Sequence, residues 1–254
     1  MRNKIVMITG VSAGIGKACA EVFAEAGAKL ILLARRKEKL TELSEVVRKN
    51  FGTSCYIIEC DVSDMKTLSS SIRNMPPEWQ QIDVLINNAG LARGFNKIQD
   101  GEISDWEEMI DTNIKGLLFV SRLILPGMIE RAEGHVINIA SIAGRQVYPA
   151  GNVYCATKHA VKALSEGMSI DLNGTGVKVT NIDPGLVETE FASVRFHGDE
   201  DKAAGVYMGY TPLTGRDVAE TVLFAATRPK HVMIQDLSVT PTDQANTYIV
   251  NKKL

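Results

Sequence analysis

The chain has 254 residues, with 28 basic and 30 acidic side chains and a formal net charge of −2. That balance gives no electrostatic footprint for nucleic acid or an anionic membrane surface, so neither is expected as a partner. The length suits one α/β unit able to bury a sizeable core, read as a single domain over residues 1–254.

The N-terminal apolar run is four residues long, too short for a signal peptide, and no apolar run approaches the roughly 20 residues of a membrane span. Cys19, Cys55, Cys60 and Cys155 show no CxxC or zinc spacing, and His135, His159, His197 and His231 show no metal spacing. A reduced, cytoplasmic protein without a metal is expected.

Residues 4–8 read as a short buried strand that runs into Thr9-Gly10-Val11-Ser12-Ala13-Gly14-Ile15-Gly16 and then an amphipathic helix. Strand, glycine turn and helix together form the context of a dinucleotide site. The glycines permit a tight turn and let backbone N–H groups approach a pyrophosphate at the positive end of the helix. Gly10, Ser12, Ala13, Gly14, Ile15 and Gly16 are the contacts expected there. Residues 29–34 form a second strand, near whose end an NAD site usually places a carboxylate for the ribose hydroxyls. Ala34, Arg35 and Arg36 stand there instead. No carboxylate repels a 2′-phosphate and two guanidiniums can pair with it, so NADP(H) is expected, held by Arg35 first and Arg36 second.

Residues 54–59 give a third strand, with Asp61 and Val62 where an adenine ring would lie; Asp61 can equally cap the helix that runs to residue 74. Residues 83–86 give a fourth, ending in Asn87-Asn88-Ala89-Gly90. The amides can tie the sheet together while the small pair admits a cofactor, which adds Asn88, Ala89 and Gly90 to the expected contacts. Residues 104–131 form a long helical region capped by Ser104 with Glu107 three residues on, and Pro126 is expected to kink it or end its first part. Asn113 lies on an apolar face inside that region and needs a partner, so it is expected to support a local kink whose freed carbonyl can hold a water. Asp105, Glu107 and Glu108 read as a solvated face.

Residues 135–140 form a strand closed by Ser141, and a helix over 152–172 carries Tyr154 and Lys158 four apart on one face. A nearby ammonium should lower the tyrosine from its ordinary ~10. Ser141 can hold a carbonyl oxygen while Tyr154 gives or takes its proton, an arrangement for carbonyl reduction or alcohol oxidation that lacks only a hydride source. A sixth strand over 177–182 leads to Asp183-Pro184-Gly185, and residues 185–214, rich in glycine and charge, read as a substrate flap. A last helix over 216–227, a strand over 231–239 and a polar tail open to packing on a neighbouring subunit complete the chain.

In order and spacing these motifs resemble the short-chain dehydrogenase/reductases: TGVSAGIG at 9–16, NNAG at 87–90, Asn113, Ser141, YCATK at 154–158, and Pro184-Gly185. The resemblance implies a Rossmann-type doubly wound parallel sheet of seven strands, order 3-2-1-4-5-6-7, and a homotetramer built on the long helices. It implies a catalytic set of Asn113, Ser141, Tyr154 and Lys158. It extends the cofactor contacts to Tyr154, Lys158, Pro184, Gly185, Val187 and Thr189. Only 96 residues follow Lys158 (254 − 158 = 96), fewer than the substrate domain of the extended branch would need.

Residues 34–40, 105–117, 141–149, 185–196 and 241–246 are further similar to the NADP-dependent 3-hydroxy acid dehydrogenases, including those acting on serine and allo-threonine. Reductases of malonic semialdehyde and sulfoacetaldehyde look like the same subgroup. The implied activity is NADP(H)-dependent hydride transfer between the nicotinamide and a small hydroxy acid or its aldehyde or keto acid. An anionic substrate needs a cation, and Arg145 and Arg195 are the candidates, with Ser141, Gln146, Tyr148 and Tyr154 completing the substrate set. The alternatives are a broad carbonyl reductase on neutral substrates and an NADP(H)-binding regulator without turnover.

Overall fold

The apolar runs become strands whose alternate side chains feed two cores. The computed structural model describes residues 1–253. In chain order the strands are β1 (Ile5–Thr9), β2 (Lys29–Ala34), β3 (Cys55–Glu59), β4 (Val84–Asn87), β5 (Gly134–Ile139), β6 (Val177–Pro184) and β7 (Asp236–Val239). They pair in parallel in the order β3-β2-β1-β4-β5-β6-β7, as the motifs implied. Parallel pairing demands crossovers, which the helices α1 (Gly14–Glu25), α2 (Lys37–Phe51), α3 (Met65–Arg73), α4 (Ile103–Ile110), α5 (Leu117–Glu130), α6 (Asn152–Asp171), α7 (Phe191–Arg195), α8 (Glu200–Tyr207) and α9 (Gly215–Ala226) mostly supply. One core sets Val6, Ile8, Leu30, Leu32, Ile86 and Ile137 against Phe23, Leu40 and Val222 of α1, α2 and α9. The other sets Met7, Ile31, Leu33, Leu85 and Val136 against Leu68 of α3 and Val120, Ile124 and Met128 of α5. Each fully buried Leu or Ile removes enough apolar surface from water to contribute about 2 kcal/mol. Strand order reverses beside β1, and the crevice outside the carboxyl ends there is where open α/β sheets take ligands.

Four local expectations change. Ser104 does not cap α4; Glu102 holds the N-cap position and no side chain caps it. The break in the long helical region lies at a π-helical turn, Asp111–Gly116, and α5 runs through Pro126. Gly116 sits at that turn against Val62, where a Cβ would lie 2.5 Å from the valine methyl, so the wider turn and the missing side chain bring α5 close to β3's end. The last strand is shorter than 231–239 because side chains intercept its start: Thr180 Oγ1 donates to the Ile234 carbonyl (2.6 Å) and Val179 N–H meets Met233 Sδ (3.4 Å). The flap is more regular than its composition suggests, since α7 and α8 lie within it and Asp199 caps α8 through Lys202 N–H (3.1 Å).

The run Ile103–Glu130 has the length and mean hydropathy (1.2) of a membrane span, but Val120, Ile124 and Met128 bury its inner face against the sheet. Its outer face leaves Ile103, Ile110, Leu118 and Ile129 exposed.

Candidate active site

At the first turn of α1, Gly10 (φ +70°) and Gly14 (φ +56°) occupy backbone shapes that side-chain-bearing residues rarely adopt. The N-cap position, Ala13, offers no side-chain cap, which leaves first-turn N–H groups free, and Ala13, Gly14 and Ile15 line the cleft. A Cβ on Gly16 would collide with Asn88 Nδ2 and the Gly10 carbonyl. In its absence Asn88 Nδ2 donates to the carbonyls of Thr9 (2.9 Å) and Gly10 (3.1 Å), while Thr9 Oγ1 accepts from Asn88 N–H (3.0 Å) and Ala89 N–H (2.9 Å). The glycine turn and the NNAG segment therefore hold each other. Asn87 does the work expected of a strand-end amide, donating to Ser121 Oγ (3.0 Å) and Asn138 Oδ1 (2.9 Å) across the sheet.

Beyond β2, Arg36 Nη2 donates to Ser12 Oγ (2.9 Å) and pairs with Glu190 of the flap (2.9 Å). Arg35 stands 3.5 Å from Asp61 and 3.8 Å from Glu108. Burial pushes the Asp61 carboxyl up, but hydrogen bonds from Ser63 and the Arg35 charge outweigh it and hold the group below its ordinary value. Ser12, Arg35, Arg36, Asp61 and Glu190 border one cleft of about 990 Å³, and every expected cofactor contact except Gly16 lines it. Gly16 lies behind the wall, where its role is packing against Asn88.

Ser141, Tyr154 and Lys158 line the same cleft. Gly144 lets the short turn after Ser141 press on the α6 backbone at Lys158, where a Cβ would strike the Lys158 carbonyl. Ser141 Oγ accepts from Ala143 N–H (3.1 Å) and donates to the Pro184 carbonyl (3.4 Å). Asn113 does not reach the cleft. It is buried in the π-helical turn, accepts from Leu91 N–H (2.8 Å), and donates to the Leu91 carbonyl (2.9 Å) and Thr157 Oγ1 (3.0 Å).

The expected lowering of Tyr154 is not what the structure shows. Burial pushes the phenol well above its ordinary value, with Ser141 and Arg195 opposing. The Lys158 ammonium lies 6.0 Å from the Tyr154 ring centroid and donates to the Ile139 carbonyl (3.0 Å), not to the phenol. Burial pushes Lys158 down to about 8, against the pull of Asp183. The pair is a neutral phenol beside an easily deprotonated ammonium.

The two candidate arginines separate. Arg145 does not line the cleft: it pairs with Asp183, whose side chain is 0% exposed, and with Asp236 (3.0 Å). A carboxylate buried at the end of β6 needs a counter-charge, and Arg145 supplies it. Gln146 is also outside, donating to Tyr248 Oη (3.3 Å) and accepting from Thr247 Oγ1 (3.4 Å). Arg195, at the end of α7, faces the cleft. Its Nη1 donates to Tyr148 Oη (2.8 Å) and its Nε to the Gly94 carbonyl (3.0 Å). Its guanidinium carbon lies 4.7, 5.4 and 5.8 Å from the ring centroids of Phe95, Tyr148 and Tyr154. Its Nη2 bonds to none of the described residues.

Several wall residues escaped the sequence reading. Phe95 and Phe191 line the cleft, and neither carries a polar signal that would mark it. The tail closes over its own chain: buried Gln244 accepts from Leu186 N–H (2.8 Å), Thr247 and Tyr248 line the cleft, and Lys253 N–H bonds the Gly209 carbonyl (2.7 Å). Nor is the acidic face of α4 simply solvated. Asp105 is buried with His197 Nε2 at 3.1 Å, and Glu108 pairs with Arg93 (2.6 Å).

This arrangement matches known proteins along nearly its whole length. An NADP-dependent 3-hydroxy acid dehydrogenase of Escherichia coli O6:H1 is 45% identical over 242 residues, 95% of this chain and 96% of that one. Sulfoacetaldehyde reductase 2 of Chromohalobacter salexigens is 43% identical over 96% of each chain. The closed form of a serine dehydrogenase complexed with NADP+ superposes with a TM-score of 0.92 at 43% identity, covering 98% of this chain and 100% of that one. Residues 4–200 match the short chain dehydrogenase family, and the chain belongs to it.

Proposed function

We propose that this protein is an NADP(H)-dependent oxidoreductase that interconverts a small hydroxy acid with its aldehyde or keto acid. The substrate group is that of 3-hydroxy acids, serine or allo-threonine, malonic semialdehyde and sulfoacetaldehyde. The observation that carries the reading is Arg195, a cation 5.8 Å from the Tyr154 ring in the cleft that also holds Ser141 and Lys158. An acid group on Arg195 and a carbonyl at Tyr154 would be bound by neighbouring groups, which favours a short anionic molecule. The relatives named for 3-hydroxy acids, serine and sulfoacetaldehyde support that size and charge.

The cleft suits the dinucleotide: an uncapped helix N-terminus for the pyrophosphate, and Arg35 and Arg36 for the 2′-phosphate. When bound, NADPH supplies a hydride, two electrons with one proton, to the carbonyl carbon. Ser141 donates a hydrogen bond to the carbonyl oxygen. Tyr154, a neutral phenol, gives that oxygen its proton as the C=O becomes an alcohol. Lys158 would hold the nicotinamide ribose, and it passes a proton back toward Tyr154, a transfer its lowered pKa eases. Asn113, bonded to both Leu91 and Thr157, keeps the π-helical turn open beside α6 for the water that feeds Lys158. Oxidation of the alcohol runs the same steps in reverse. The exposed Ile103, Ile110, Leu118 and Ile129 suit burial in a homotetramer, and four free cysteines suit a reducing, cytoplasmic setting.

The test follows NADPH absorbance with malonic semialdehyde, sulfoacetaldehyde and propanal, beside NADP+ reduction by L-serine and 3-hydroxypropionate. A strong preference for one acid is expected. Equal turnover of propanal would move the function to a general carbonyl reductase.

A further inference from the structure

The loop after β4 joins the two halves of the site. It begins at Leu91, whose N–H and carbonyl are both bonded to Asn113 (2.8 and 2.9 Å). Three residues on, Gly94 N–H donates to the Arg195 carbonyl (2.9 Å) and the Gly94 carbonyl accepts from Arg195 Nε (3.0 Å). Between them, Arg93 Nη1 donates to the Val194 carbonyl at 2.6 Å. The other face of the same guanidinium makes a two-point pair with Glu108 of α4, Nε at 2.6 Å and Nη2 at 3.1 Å. That pair is charged at working pH, since the bond from Arg93 holds the Glu108 carboxyl below its ordinary value.

Helix α7 has five residues, little more than one turn, and cannot hold its own shape. The residues that follow serve its Ala192 and Ser193 carbonyls, from Phe196 N–H (3.1 Å) and Gly198 N–H (2.9 Å), but the Val194 carbonyl receives only a long bond from His197 N–H (3.4 Å) and needs a stronger partner; a cation is the favoured one at a helix C-terminus. Arg93 fills that need at Val194, directly before Arg195. Because Glu108 fixes Arg93 from the opposite side, the guanidinium can serve the carbonyl in only one place.

Resting on the function proposed above, we propose that Arg93 is a positioning residue for Arg195: clamped by Glu108, it caps the Val194 carbonyl and so sets where the substrate-binding cation stands. Arg93 itself does not line the cleft. Its effect passes through α7.

The experiment measures kcat and KM for malonic semialdehyde and for propanal at saturating NADPH, in Arg93→Met, Glu108→Gln and Arg195→Met, and in each of the first two combined with the third. Arg93→Met is expected to raise KM for the acid about tenfold, leave KM for propanal within about twofold, and add almost nothing when Arg195 is already Met. Glu108→Gln keeps an acceptor for Arg93 but loses the charge, so a smaller shift in the same direction is expected. Saturating NADPH removes any effect of Glu108 on nearby Arg35. If Arg93→Met does not fold, Glu108→Gln and its double variant decide. Equal KM changes for both aldehydes, or effects that multiply with Arg195→Met, would overturn the assignment. If Arg195→Met removes the acid preference while the other two variants keep it, only the role of Arg93 falls. If Arg195→Met leaves the preference intact, the reading of Arg195 and this inference fall together.

Discussion

On one side of the cleft, Gly10, Gly14, Ser141 and Lys158 stand on strand ends and helices packed against a sheet whose β1, β4 and β5 are buried throughout. On the other, Arg195, Phe191 and Tyr248 stand on a five-residue helix and the C-terminal tail. The first side is held by core packing. The second is tied down by hydrogen bonds between segments far apart in sequence: Arg93 to Val194, Gly94 to Arg195, Gln244 to Leu186. The difference suggests a division of labour, in which the sheet side fixes the chemistry and the flap side fixes which molecule receives it.

Substitutions on the two sides should then fail differently. The largest effect is expected from Tyr154→Phe, which removes the proposed proton donor and should lower kcat about a thousandfold while NADPH binding, followed by fluorescence, is kept. A loss under tenfold would place the proton elsewhere. Arg36→Met should raise KM for NADPH about tenfold and leave KM for NADH unchanged, because of the two cofactors only NADPH carries the 2′-phosphate that this guanidinium would meet. An equal change for both cofactors would contradict it. Arg145→Met sharpens the contrast with Arg195. It strands Asp183 without its counter-charge and should lower stability by about 2 kcal/mol, less than for a fully enclosed pair because Arg145 is 38% exposed. The acid-to-neutral KM ratio should not move. The smallest effect is with pH. Lys158 is cationic below about 8 and loses its proton above it, so kcat/KM for reduction should fall as pH rises through about 8. A profile flat to pH 10, with chemistry shown to limit the rate, would rule out that role for Lys158.

How much could be read without coordinates follows the same division. Glycine spacing, the NNAG segment and the Tyr154–Lys158 interval are local patterns on regular elements, so each one implies its own geometry. Arg145 and Arg195 look alike in sequence. What separates them is Asp183, 38 residues from Arg145 and buried on a strand neither arginine belongs to. The tyrosine went the wrong way for a related reason: the spacing brings an ammonium near the phenol, but not the burial that raises it or the Ile139 carbonyl that draws the ammonium off. Arg93 and Gln244 act on backbone groups of the flap, and nothing in their own segments announces such partners.

The most direct test of this division is the ratio of kcat/KM for malonic semialdehyde to that for propanal, in the unaltered protein and in Arg195→Met. The expected result is an acid preference of about a hundredfold that collapses toward unity in the variant, with propanal turnover kept. An unaltered protein that reduces both aldehydes equally, or a variant that retains the preference, would contradict it.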